Sequence, residues 1–142
     1  MDSQPATDST KDCFAVDDYK RLPNEVGGRQ TTLSENVSKE VRGLLRDYGP
    51  HAMHPLDDIL SFHVAFERSH PFQDGNGRVG RLIMFKECLA GIEAPFIITG
   101  DMKAFYHRGL AEWDRGKGFV TETCLAAQDR FKSTLDYFRI AY

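Results

Sequence analysis

Several things are scarce in this 142-residue chain, and each scarcity narrows the reading. Charge of one sign is scarce: 18 basic side chains face 21 acidic ones, a net of −3. No broad pull toward nucleic acid or an anionic membrane follows from that balance. No apolar run approaches the ~20 residues of a membrane span. The opening "MDSQPATDSTKD" lacks the basic and apolar regions of a signal peptide, so none is expected. Cysteine is rare and odd in number. Cys13, Cys88 and Cys124 form neither a C-x-x-C pair nor a plausible disulfide framework. A reducing cytoplasm is the expected location, with Cys88 and Cys124 as buried thiols inside apolar helical patterns.

What is present is mostly helical pattern. Residues 1–13 are polar and are expected to form a flexible arm ahead of one domain over 14–142. Pro23-Asn24 and Gly27-Gly28 punctuate the next stretch, and Val26-Gly27-Gly28-Arg29 is expected to turn a short β-hairpin. Ser34 is expected to cap a helix from Glu35 to Tyr48, with Val37, Val41, Leu44, Leu45 and Tyr48 on one stripe. Gly49-Pro50 ends it. A second helix is expected from Pro55 to Ser69, apolar on more than one face. A third runs from about Arg78 to Ala90, with Leu82, Ile83, Met84, Phe85, Cys88 and Leu89 buried. Asp101 is expected to cap a fourth that ends near Trp113. The last spans about 119–139, with Cys124, Leu125, Phe131, Leu135 and Phe138 inward. The fold class expected is all-α, a compact helical bundle with a small N-terminal β-hairpin.

Between the second and third helices stands "SHPFQDGNGRVGRL", where chemistry concentrates. Gly75 and Gly77 permit a concave nest of backbone N–H groups that leads into a helix N-terminus, and both favour anions. Arg78 and Arg81 lie three apart on the first helical turn, suited to bidentate phosphate recognition. Asn76 adds amide donors. Asp74, an anion inside an anion-binding loop, fits a bridging Mg²⁺ held by one carboxylate, phosphate oxygens and water. His70 is a base near neutral pH. Phe72 is apolar amid polar neighbours and is expected to plug into the core and anchor the loop. Together these indicate phosphoryl or nucleotidyl transfer.

Other histidines read more plainly. His51 and His54 are expected in a surface loop, because no third metal ligand is near them. His63 is expected to be a hydrogen-bonded core residue. Tyr106 is expected in the core rather than stacked on a base, and Lys103 in solvent.

The loop "HPFQDGNGRVGR" matches the signature H-x-F-x-[DE]-G-N-G-R-x-x-R at every specified position, and the chain therefore resembles the Fic family. "DYKRLPNEVGG" is similar to the flap hairpin of a small-protein branch, with Asp17-Asp18 where that branch often has Gly-Asp. "FHVAFERSHPF" resembles the helix entering the motif, and "GRLIMFKECLAGIEAPFII" the helix leaving it. The likeness covers about residues 14–130. It implies a helical, Mg²⁺- and ATP-dependent protein adenylyltransferase that moves AMP from ATP to a Ser, Thr or Tyr hydroxyl. His70 would deprotonate the hydroxyl and Asp74 would hold the metal. Gly75, Asn76 and Gly77 would stabilise phosphate charge. Arg78 would meet the β-phosphate side and Arg81 the γ-phosphate. The flap, about 19–32, with Tyr19, Lys20, Asn24, Val26, Gly27 and Gly28, would clamp the target protein by main-chain pairing.

The resemblance leaves rivals. In a Doc-like kinase the second motif glycine is replaced by Lys; Gly77 here favours AMP transfer. A transferase of another phosphate-linked group and a non-catalytic nucleotide-binding toxin–antitoxin module are further alternatives. Many family members carry an inhibitory [ST]-x-x-x-E-[GN] segment whose Glu pairs with the last motif Arg. Ser34 is followed by Ser38 and Ser133 by Tyr137, so no such segment is found. The expectation is an unrestrained core, trimmed or natively without its brake, or one restrained by a separate antitoxin-like protein. Small members of the family often self-associate, so a homo-oligomer is among the partners the resemblance allows. The expected location widens accordingly to the cytoplasm or that of a delivered effector.

Overall fold

The computed structural model describes residues 18–50, 53–91 and 94–142. The expected arm, Cys13 and His51 lie outside the described residues. A two-stranded antiparallel ribbon, β1 (Glu25–Val26) with β2 (Arg29–Gln30), comes first. Its register pairs Glu25 with Gln30 and Val26 with Arg29. The turn residues Gly27 and Gly28 both have positive φ, 56° and 74°. Two such residues in a row make the turn whose twist suits a tight hairpin, and glycine supplies them without steric cost.

Five helices follow: α1 (Ser34–Tyr48), α2 (Leu56–Ser69), α3 (Asn76–Ala90), α4 (Lys103–Glu112) and α5 (Gly118–Tyr137), with a 3₁₀ turn at Gly100–Met102 leading into α4. The class is all-α with a small N-terminal hairpin. Gly49, at φ 76°, ends α1 and donates its N–H to Leu45 O. α2 packs on both α1 and α3, and α4 packs on α5. One core joins them. Ile59 and Leu60 of α2 meet Met84 and Cys88 of α3, Tyr106 of α4 and Val120 and Cys124 of α5. The connector after α3 adds Phe96 and Ile98 to it. Cys88 and Cys124 are fully buried, as expected, and burial pushes the Cys124 thiol up to about 12, far from thiolate chemistry.

Two glycines set helix spacing. A Cβ on Gly109 of α4 would stand 2.7 Å from the backbone N of Val120 on α5. A Cβ on Gly80 of α3 would stand 2.5 Å from Glu67 Oε1 and 3.1 Å from Phe66 Cδ1, both on α2.

Several expectations are corrected. Ser34 is the first residue of α1, not its cap; Leu33 occupies the cap position and no side chain bonds there. Asp101 lies in the 3₁₀ turn, and its carboxylate accepts from Thr99 and Arg130 instead of capping α4. Leu45, Leu82, Leu89, Leu125 and Phe138 are exposed. α3 and α5 each bury one narrow stripe and leave the flanking apolar positions in water. His54 is buried, not in a surface loop, because its ring stacks on Tyr48 at 3.7 Å between centroids. His63 is a buried, hydrogen-bonded core residue as expected, with its Nε2 paired to the Tyr106 hydroxyl. Burial holds His63 down at about 4.

Candidate active site

The site is the junction where α2 stops and α3 starts. His70 is the stop. It adopts the left-handed conformation, φ 49° and ψ 60°, and its N–H bonds to Phe66 O. Glycine is the usual residue in that position, so a histidine held there stores strain of order 1 kcal/mol. Its half-buried ring places Nδ1 3.2 Å from the carbonyl oxygen of Glu67. A carbonyl can only accept, so Nδ1 carries the proton and Nε2 keeps its lone pair. Burial lowers the His70 pKa. The Glu67 hydrogen bond opposes that shift, and the nearby positive charge of Lys20 adds to it. The imidazole is therefore a neutral base at pH 7.

Pro71 carries the chain out of α2, because it has no N–H to continue the ladder. Phe72 is half-buried between Phe66 (6.4 Å between centroids) and Tyr19 (6.1 Å). It wedges against α2 and the flap rather than plugging fully into the core. Asn76 is buried, and its side chain closes the loop on itself. Oδ1 accepts the Phe72 N–H at 2.7 Å, and Nδ2 donates to Phe72 O at 2.8 Å. The amide expected to face phosphate is thus engaged with the loop backbone.

Gly75 is left-handed at φ 80° and stands immediately before α3. The switch from a left-handed to a right-handed residue turns successive N–H groups to one side. The first N–H groups of α3, at Asn76, Gly77 and Arg78, have no partner within the helix. Asp74 is exposed; Oδ1 accepts from the Gly75 N–H at 2.7 Å and Oδ2 lies 3.5 Å from Arg78. Asp74 therefore offers one hard, solvent-facing carboxylate. Among the described residues no group of three His, Cys, Asp or Glu side chains could hold a metal. A lone carboxylate beside a phosphate nest suits Mg²⁺, which keeps most of its waters, and does not suit a caged Zn²⁺ or Ca²⁺.

Arg81 stands over Gly77: a Cβ there would meet Arg81 Nη1 at 3.0 Å. The ion pairs among the described residues leave Arg81 out. Its charge reaches Glu67 of α2 and His107 of α4. Burial raises the Glu67 pKa and Arg81 opposes that; burial lowers the His107 pKa, and Arg81 and Lys103 lower it further. Lys103 is exposed, as expected, and Tyr106 is buried in the core.

The hairpin hangs on this loop rather than on the core. Lys20 N–H donates to Pro71 O at 2.8 Å, Leu22 N–H to Gln73 Oε1 at 3.2 Å, and Asn24 Nδ2 to Phe72 O at 3.1 Å. Lys20 and Asn24 point inward, so of the expected flap residues Val26, Gly27 and Gly28 are the exposed ones. The sequence reading missed Glu67 and Thr31. Glu67 lies one helical turn before His70, a spacing that places its carbonyl under the imidazole. Thr31 has no local signal, because its partner Lys20 is eleven residues away.

A family model for Fic/DOC matches residues 8–88, more than half of the chain and the whole of this junction. The chain belongs to the Fic/DOC family. A solved structure of a Fic domain containing signaling protein from Bacteroides thetaiotaomicron VPI-5482 is similar in fold, with a TM-score of 0.66 and 24% identity. The match covers 88% of this chain and 50% of that one, so the Fic domain described here spans half of that protein's length. No curated protein matches the chain. Members of the Fic/DOC family generally transfer nucleotide-derived groups, which is the chemistry a base beside a phosphate nest can serve. No helix among the described residues is long and apolar enough to cross a membrane.

Proposed function

We propose that this Fic domain is a protein adenylyltransferase that moves AMP from ATP to a Ser, Thr or Tyr hydroxyl of a target protein. The observation that carries the reading is the fixed tautomer of His70, whose Nδ1 is held by the Glu67 carbonyl so that Nε2 keeps its lone pair, in the loop that leads into the α3 N-terminus. In the reaction Nε2 takes the hydroxyl proton as the target oxygen bonds to the α-phosphorus. The bond from that phosphorus to its bridging oxygen breaks, and pyrophosphate leaves with the electron pair. The α3 N-terminus and Arg78 and Arg81 hold the phosphate oxygens, whose charge grows on the leaving side. Asp74 would hold Mg²⁺, which when bound neutralises phosphate charge. Gly77 supports AMP transfer over γ-phosphoryl transfer, because any side chain there would displace Arg81. The target segment would pair with the exposed β1–β2 ribbon, whose four residues are all exposed.

The test is incubation with Mg²⁺ and ATP labelled at the α- or the γ-phosphorus, in the presence of lysate proteins. Label from the α-position on protein, lost with His70→Ala, is the expected result. Label from the γ-position alone would replace the reading with a kinase. Transfer that survives His70→Ala would remove the base.

A further inference from the structure

Lys20 is buried, only 3% exposed, and the ion pairs among the described residues do not include it. Lysine is among the side chains least often found in that state, because an ammonium loses hydration it must recover elsewhere. Burial lowers the Lys20 pKa and the Glu40 carboxylate of α1 opposes that shift, while its direct hydrogen bonds go to three neutral oxygens. Nζ donates to Asn24 Oδ1 at 2.8 Å, Thr31 Oγ1 at 2.7 Å and Ser69 O at 3.3 Å. Three donors thus find three acceptors. The main-chain N–H of the same residue donates to Pro71 O at 2.8 Å. Ser69 and Pro71 are the two neighbours of His70.

We propose that Lys20 is the positioning residue of the base, gripping the carbonyls on both sides of His70 so that its left-handed backbone, and hence its ring, is held in one place. This rests on the reading of His70 as the base. A strained residue persists only where its surroundings over-determine it. The Phe66 carbonyl fixes the N–H of His70, the Glu67 carbonyl fixes Nδ1, and Lys20 holds the carbonyls of Ser69 and Pro71. Ser69 O belongs to the last turn of α2, whose carbonyls have no partner within the helix. Lys20 supplies one from the flap, 49 residues away in sequence.

The same charge favours a neutral imidazole. Lys20 faces the ring from the flap side. From α2, Glu67 presents its carbonyl, while its carboxylate lies against Gly80 of α3 and His63. In the loop, Asp74 faces Arg78. A positive charge on the flap side disfavours protonation of His70, which burial already lowers. Lys20 thus braces the loop around His70 and adds its charge to the burial that already favours the neutral ring.

The experiment is an NMR titration of the His70 ring in the full chain, without nucleotide, for wild type, Lys20→Met and Lys20→Arg, alongside the pH profile of α-label transfer. In Lys20→Met the His70 midpoint moves upward and the acid limb of the rate profile moves with it. kcat falls by up to ~10²-fold, as for a misplaced catalytic group. Lys20→Arg keeps the charge and restores the low midpoint. Where Lys20→Met loses its fold, Lys20→Gln keeps a donor without the charge and reads the same shift. A His70 midpoint unchanged in a folded Lys20→Met or Lys20→Gln overturns the proposal. So does a loss confined to KM for the target, which would make Lys20 a flap residue only. A shifted midpoint in a protein that transfers no α-label supports the role of Lys20 and removes AMP transfer instead.

Discussion

Gly77→Ala should make the protein more stable and less active, and the structure gives both signs. Gly77 is the second residue of α3 and its φ is not positive, so alanine adopts the same backbone. Replacing a helical glycine by alanine gains about 0.5–1 kcal/mol. The new methyl would approach Arg81 Nη1 at 3.0 Å, with Cζ and Nη2 at 3.7 Å. All three atoms belong to the head of one flexible side chain. It can retreat by a few tenths of an ångström with little loss of folding energy, so the gain survives and Tm rises by about 2–4 °C. The retreat matters to a phosphate. A bidentate guanidinium moved by that much loses alignment, and kcat/KM for ATP should fall about tenfold, or ~1.4 kcal/mol of transition-state binding. Thermal melts and initial rates of α-label transfer measure the two halves. An unchanged kcat/KM in a stabilised variant would show that Gly77 does not place Arg81. A lowered Tm would show that residue 77 is not helical.

Three further outcomes test the rest of the framework. Gly109→Ala should destabilise by about 1–3 kcal/mol in urea, because the Val120 backbone nitrogen cannot yield without sliding α5, while Gly43→Ala, with nothing nearer than Arg46 Nη2 at 3.8 Å, should stabilise by up to ~1 kcal/mol. Asn76→Ala should cost about 2–4 kcal/mol in chemical denaturation, since both Phe72 backbone groups lose their partner. Stability should fall with acid through His63. Its folded pKa, about 4, lies below the 6.5 of an ordinary histidine, so between those values the unfolded chain binds more protons. The loss is about 3 kcal/mol across that window, and His63→Leu should flatten the profile. Glu67 has the opposite sign, because its folded pKa is raised, and it offsets part of the loss at the acid end.

The helices were legible because their spacing is local. Gly27-Gly28, Gly49 and Gly75 each do the backbone work their sequence context suggests. The motif loop was legible as a set of residue types, but not as a set of directions. Asn76 reads as a phosphate donor, and its role as a clasp on Phe72 was not foreseen; Lys20 reads as a flap residue, and its burial against Ser69 was not foreseen. Both differences come from partners that local periodicity does not encode, one across a turn and one 49 residues away. His54 was misread for a similar reason: its burial depends on Tyr48 across a connector. Leu82 and Leu89 were misplaced because a run of apolar residues on a helix does not say how wide the covered stripe is.

The packing of Phe66 and Glu67 around Gly80, and of Asn76 on Phe72, has a kinetic consequence. Both contacts lie inside the segment from α2 to α3, so the chain closes only short loops to make them, and short closures come early in folding. The flap's tie from Lys20 to Ser69 closes a far longer one. By that ordering the α2–α3 junction would close first, and the flap's tie to Ser69 would arrive after it. A slow late phase lost with Lys20→Met, and an early phase slowed by Gly80→Ala, would be the signature of that order.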